Sequence, residues 1–217
     1  NSAQIVTVTG VDDALADGNI GYTIQTTVTS GDAIYNGIGA ADVGVTNMDD
    51  ETANVLVSPT SGLITTEAGG TATFSVVLSS QPLSDVTINL TSSDPTEGAV
   101  PTAITFIPAD WNSAQIVTVT GVDDLIDDGD IAYSIITTVT SGDATYNGIA
   151  AADVSVTNTD DDTAGVTVNP TVGLVTTEAG GTAAFTVVLT SQPTADVTVN
   201  LTSSDLSEGT VPVGITF

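Results

Sequence analysis

The stretch GVDDLIDDGD at residues 121–130 holds Asp123, Asp124, Asp127, Asp128 and Asp130. The chain has no Lys, Arg or His to pair with them, against 27 Asp and Glu, for a formal net charge of −27. Two like charges about 4 Å apart repel by ~1 kcal/mol in water and by several times that near a protein surface. Carboxylates crowded in this way suit the binding of a hard cation. Calcium takes about six to eight oxygen ligands from carboxylates and carbonyls on flexible loops, whereas magnesium uses fewer protein ligands and keeps its waters. Zinc sites are built with His or Cys, and the chain has neither. The chemistry therefore points to calcium. The plainer reading is a solvated acidic rim that limits aggregation.

The same composition excludes whole classes of function. There is no imidazole base, Schiff-base lysine or thiolate, and nothing basic to meet a nucleic-acid backbone. Only a carboxylate pair of the glycosidase kind could catalyse, and the acids belong to the cation loops, so no enzymatic activity is expected. Without Cys there are no disulfides. A hydrophobic content of 41% is too high for a disordered acidic tail. Val, Ile and Thr dominate over aromatics, which favours strands. No apolar run is long enough to span a bilayer. The absence of Lys and Arg removes every trypsin site, which suits a polymer exposed outside a bacterial cell or on its surface.

The chain repeats itself. NSAQIVTVTGVDD at 1–13 recurs unchanged at 112–124, TTEAGGTA at 65–72 recurs at 176–183, and NLTSSD at 89–94 recurs at 200–205. Residue n therefore recurs at n + 111, with roughly three-quarters identity, as in recently duplicated arrays. IPADW at 107–111 has no second copy. The expected division is 1–51 as the C-terminal half of a first repeat, with strands E to G. A complete repeat follows at 52–162, and the N-terminal half of a third, strands A to D, at 163–217. The chain reads as a window on a longer array.

Strands are legible by alternation. Strand A is expected through NVLVSPTSGLITT, and strand B in TATFSVVL with Ala72, Phe74, Val76 and Leu78 inward. Strand C is DVTINLT with Val86, Ile88 and Leu90 inward, and strand D lies near VPTAITF. AQIVTVTGV, IAYSIITTV and DVSVTNT supply E, F and G. Seven strands in a repeat of this length, with turns of Gly, Pro, Asp and Ser, predict an all-β fold of tandem immunoglobulin-like sandwiches. Tyr133 and its copy Tyr22 fit either a tyrosine corner or plain core packing. Trp111 is expected to plug the D–E end of the core.

Loops between successive antiparallel strands alternate between the two ends of a sandwich. The A–B, C–D and E–F loops and the end of strand G therefore share one end. That end collects Glu67, Asp94, Glu97, Asp123, Asp124, Asp127, Asp128, Asp130, Asp160, Asp161 and Asp162, while the other loops hold only Asp85, Asp110, Asp143 and Asp153. The acidic end is also where strand G runs on into the next repeat.

TEAGGTATFSVVL, then ITF followed by AQIVTVTGVDD, an acidic loop and a strand ending in DDD together resemble the Calx-β repeat, here in parts of three domains. Its members occur in sodium–calcium exchangers, integrin-associated proteins and large bacterial surface proteins. The resemblance implies calcium held by Glu67, Asp123, Asp124, Asp128, Asp130, Asp160 and Asp161, with Asp94, Asp127 and Asp162 close by. The first copy offers Asp12, Asp13, Asp17, Asp49 and Asp50, with Ala16 and Asn19 in place of Asp127 and Asp130. Glu178 and Asp205 belong to a third site.

Three functions compete. The first is an extracellular stalk, adhesin shaft or filament of calcium-stiffened repeats that self-associate through identical neighbours. A variant of it is a filament of separate chains joined by strand complementation. The last is a calcium-dependent sensing or ligand-binding module, which scarce aromatics disfavour for sugars. The N-L-T sequons at Asn89 and Asn200 fall on outward strand positions.

Overall fold

The computed structural model describes residues 2–217. The described residues form fifteen strands and no helix, so no helix is long and apolar enough to cross a membrane. The N-terminal segment contributes β1 (Ile20–Ile24) and β2 (Val43–Asn47), paired with each other alone.

The central segment supplies β3 (Val55–Ser58), β4 (Leu63–Thr66), β5 (Thr71–Leu78), β6 (Val86–Ser92) and β7 (Gly98–Ala99). It continues with β8 (Ala103–Phe106), β9 (Gln115–Gly121), β10 (Ile131–Ser141) and β11 (Val154–Thr159). One sheet runs β3-β5-β9-β7 and the other β4-β11-β10-β6-β8. All pairings are antiparallel except β11 with β4. This is an immunoglobulin-like β-sandwich.

Its core is the alternation made solid. Phe74, Val76 and Leu78 of β5 meet Val86, Ile88 and Leu90 of β6, with Val117, Val119, Ile135, Val154 and Val156 behind them, all buried. Trp111 is half-buried against this core, and its carbonyl accepts from the Leu78 amide at 3.2 Å.

One expected strand is divided. Strand A breaks into β3 and β4, which join opposite sheets. Pro59 brings no N–H to a ladder, and Gly62 takes φ +77°, where a Cβ is disfavoured. The chain crosses over between them, and β4 becomes the parallel partner of β11. Strand D forms as β8, within the expected VPTAITF, while the short β7 just before it joins the other sheet. Strand E of the N-terminal segment is not formed: residues 2–13 carry no strand. In the C-terminal segment β12 (Val166–Asn169) pairs with β13 (Thr186–Leu189), and β14 (Thr198–Asn200) with β15 (Gly214–Thr216).

A candidate metal centre at the acidic end

The parallel pairing of β4 and β11 positions the centre. The ladder ends with the Glu67 amide donating to the Thr159 carbonyl at 3.1 Å. This sets the A–B turn beside the exit of β11. Asn158, almost fully buried, ties the remaining pieces. Its Nδ2 donates to Glu97 Oε2 at 3.2 Å and to the Val122 carbonyl at 3.0 Å, while its Oδ1 accepts from Thr65 Oγ1 at 2.9 Å. The Val122 amide in turn donates to the Glu97 carbonyl at 3.0 Å. Four loops thus converge, as strand parity requires.

Two sets of carboxylates meet there, with ligand oxygens within 4.8 Å of one another: Glu67, Asp160 and Asp162, and Glu67, Glu97 and Asp124. Glu67 belongs to both. It is 2% exposed and Glu97 is 4% exposed. Burial, reinforced by Asp160, Asp124 and Glu97, pushes the Glu67 carboxyl from its ordinary 4.5 up to about 7. Burial likewise raises Glu97, opposed by its bond from Asn158. Asp162 is raised by burial and then by Asp160 and Asp161. Asp162 Oδ2 is buried without any hydrogen-bond partner. A buried carboxylate oxygen left unpaired is costly.

Within and around these sets, carboxylates also accept from backbone amides. Asp160 accepts from the Gly129 amide at 2.7 Å and the Asp162 amide at 2.8 Å, and these bonds hold its carboxyl below the usual range. Asp124 accepts from the Ile126 amide at 2.7 Å, and Asp130 from the Asp160 amide at 3.3 Å. The Asp161 amide donates to Glu67 Oε2 at 3.4 Å. Asp123 and Asp128 are exposed beside the cluster, adding negative potential at Asp162 and Glu97 respectively.

Two of the expected ligands face other partners. Asp94 stands outside both sets: its Oδ1 accepts from the Thr96 amide and hydroxyl at 3.1 and 2.5 Å. Asp127 accepts from the Ala164 amide at 2.7 Å, across the passage to the C-terminal segment. Glu97 is a cluster member that the ligand assignment from sequence omits. Its signal was its place on the C–D loop of the acidic end.

In the N-terminal segment the close set is Asp12, Asp50 and Glu51. Glu51, which occupies the place of Asp162, is likewise absent from the sequence assignment. Burial and then Asp49, Asp50 and Asp12 raise its carboxyl. Asp13 accepts from the Leu15 amide at 2.9 Å, and Asp49 from the Glu51 amide at 2.9 Å and from the Gly18 amide. Asn19 repeats the role of Asp130, accepting from the Asp49 amide at 2.9 Å. Asp17 is exposed, as is Glu178 in the C-terminal segment.

The acidic loop also touches the next stretch of chain. The Gln81 amide donates to the Ala14 carbonyl at 2.7 Å, and Leu15 forms a parallel bridge with Gln81. At the following junction the Gln192 amide donates to the Leu125 carbonyl at 2.5 Å. Gln192 is Gln81 one period on, so the same contact occurs twice.

No known family profile matches the chain, and no curated protein sequence does. Among solved structures, it is similar to the apo form of the Calx CBD1 domain at 18% identity and a TM-score of 0.40, covering 52% of this chain and all of that one. It is similar to WR4, a member of the MSP family of C. elegans, at 14% identity and a TM-score of 0.34, covering 48% of this chain and 95% of that one. The E. coli chaperone DraB aligns over 76% of this chain and 96% of its own, at 10% identity and a TM-score of 0.37. All three likenesses are distant, and the sandwich assignment rests on the sheets described above.

Proposed function

We propose that this chain is a stretch of an extracellular, bacterial surface shaft or fibre whose sandwich repeats are stiffened by calcium at their acidic ends. The observation that carries this reading is the buried carboxylate cluster around Glu67, with the unpartnered Asp162 Oδ2 inside it, in a chain without one basic side chain. Glu67, Glu97, Asp124, Asp160 and Asp162 would hold the ion or ions, with Glu67 shared. The exposed Asp123 and Asp128 and the Asp161 carboxylate would supply outer charge. A bound divalent cation supplies the positive charge that no side chain offers.

The position of the cluster gives the mechanical consequence. It straddles the exit of β11, and its loop hydrogen-bonds to the next stretch through Leu125–Gln192 and Asp127–Ala164. Ordering the loop orders the junction. The reading needs no catalysis, and the chain is not proposed as an enzyme.

Thermal unfolding of the chain in millimolar calcium, in EGTA and in magnesium tests this. A ligand at a hundred times its Kd stabilises by about 2.7 kcal/mol. For a domain of this size that raises Tm by roughly 10 °C or more. Calcium should do so, magnesium should not, and Glu67→Gln should remove most of the gain. Equal Tm in calcium and EGTA would reduce the acids to a solubility rim.

A further inference from the structure

We propose that the C–D loop of the central sandwich is a self-processing site, at which the Asp94 carboxylate cuts the chain between Asp94 and Pro95. Asp94 stands outside the carboxylate cluster, and Asp94–Pro95 is the one Asp-Pro bond in the chain. The proposal is independent of the calcium reading.

The bond has the parts that such a cut needs. The first is a polarised carbonyl. The Asp94 carbonyl oxygen accepts from Ser92 Oγ at 2.7 Å, from the Gly98 amide at 3.1 Å and from the Glu97 amide at 3.3 Å. These donors converge where a tetrahedral intermediate carries its negative charge, as in an oxyanion hole. The fold sets them there. Gly98 opens β7 opposite Gly121 of β9, and Ser92 closes β6 opposite Ile135 of β10.

The second part is the nucleophile. The Asp94 carboxylate sits one methylene from its own backbone, so attack on its own carbonyl carbon closes a cyclic anhydride. Asp94 Oδ1 is held by the Thr96 amide and hydroxyl, and the attack falls to Oδ2. The last part is the leaving group. The Pro95 nitrogen carries no hydrogen, and as a tertiary amide it leaves more readily on protonation than a secondary one. Pro95 is exposed and Asp94 half-buried, so water reaches the bond.

The step balances. Asp94 Oδ2 bonds to the Asp94 carbonyl carbon, the bond from that carbon to the Pro95 nitrogen breaks, and the nitrogen departs as an amine with a proton from solvent. One water molecule then opens the anhydride to two carboxyl groups. Nothing is oxidised or reduced. Each chain reacts once, so this is processing and not enzyme turnover.

The C-terminal segment supplies an internal control. The Asp205 carbonyl oxygen accepts from Ser203 Oγ at 2.8 Å, from the Gly209 amide at 3.1 Å and from the Glu208 amide at 3.4 Å. Its Oδ1 accepts from the Ser207 amide and hydroxyl. The residue that follows is Leu206 in place of Pro95. The two turns share their donors and differ in the leaving group.

A cut at Asp94 would not part the sandwich. It falls between β6 and β7, and the ladders of β5 with β9, β6 with β10, β6 with β8 and β4 with β11 all cross it. The chain would then be held through this repeat by strand pairing alone.

Mass spectrometry of the chain kept in mildly acidic buffer, folded and in urea, reads the cut. The folded chain should give residues 1–94 and 95–217 under denaturing conditions and a single particle under native ones. It should be cut faster than the chain in urea, because only the fold gathers the donors. The Asp205–Leu206 bond should stay whole. Pro95→Leu, which copies the C-terminal segment, should abolish the cut, and Leu206→Pro should create a second one. Ser92→Ala should slow the cut roughly tenfold, against about a hundredfold or more for a donor in a closed enzyme site. Ser92→Thr should restore the rate. Fluorescence of the single Trp, Trp111, checks that the central sandwich stays folded in each variant. Cutting in urea as fast as in the folded chain would leave only the ordinary acid lability of an Asp-Pro bond and overturn the proposal. An uncut folded chain, a rate indifferent to Ser92→Ala, or no second cut in Leu206→Pro would overturn it too.

Discussion

Residues 2–13 and residues 113–124 are the same twelve residues, SAQIVTVTGVDD, in two surroundings. The second copy holds β9, hydrogen-bonded to β5 on one side and β7 on the other. The first copy forms no strand. Val117 is 1% exposed and Val6, its twin, is 81% exposed. Alternation of Val and Ile with Gln and Thr gives the stretch its capacity for a strand. Neighbouring strands must then take up its amides and carbonyls, and β5 and β7 come from the half of the period that the N-terminal segment lacks. Strand propensity is a fit to a pleated, half-buried surface, and without the surface it has little to act on.

One substitution made in both copies gives the largest contrast. Val119→Asp should destabilise the central sandwich by about 4 kcal/mol or more, because it buries an unpaired charge. Val8→Asp, at the matching place, should change the same urea transition by no more than about 0.5 kcal/mol in dilute protein. Equal losses would mean that residues 2–13 are packed as tightly as β9.

A smaller contrast concerns the glycines. Gly98→Ala forces a methyl group into the Tyr133 ring and should cost about 1–3 kcal/mol. Gly209→Ala meets open space and should leave the monomer unaffected. Should Gly98→Ala prove neutral, the Tyr133 ring yields easily and the close approach of β7 to it is not tightly fixed.

The smallest effect sharpens the comparison at the acidic end. Glu67 titrates at about 7 in the folded protein, against an ordinary value of 4.5. Its raised value favours the folded state when protonated. That contribution is fully present below about pH 4.5 and is lost as pH rises through about 7. Metal-free protein should therefore melt higher near pH 5 than near pH 8, and Glu67→Gln should reduce the difference, the raised Glu97 and Asp162 acting with the same sign. The lowered carboxyl of Asp160 acts with the opposite sign, but only as pH falls through its depressed value, below 3.8. Saturating calcium, which favours ionised Glu67, should shrink or reverse the slope. Metal-free melting that does not vary between these pH values would mean that Glu67 is better solvated than its burial indicates.

Much of this was legible beforehand because period-two patterning and turn chemistry are local. The inward faces of β5 and β6 follow from Phe74, Val76, Leu78, Val86, Ile88 and Leu90 alone. Loop parity alone places the acids on one end. The division of strand A was less legible. Pro59 and Gly62 mark a break, but which sheet receives β4 depends on β11, which lies about ninety positions later in the chain. Asp94 looked like a ligand by charge and place, yet its turn with Thr96 satisfies it locally. Glu97, three residues on, is drawn inward by Asn158.

The sequence alone determined the alternation, the period of 111 residues and the charge of −27, because these are properties of the chain read in order. It thereby determined that any cluster of these carboxylates must find its positive charge outside the chain. Only the tertiary structure decided which carboxylates share a buried site and which serve nearby amides. It also decided which copy of SAQIVTVTGVDD becomes a strand. Both depend on contacts between residues far apart in the chain, and identical local sequence cannot supply those contacts twice.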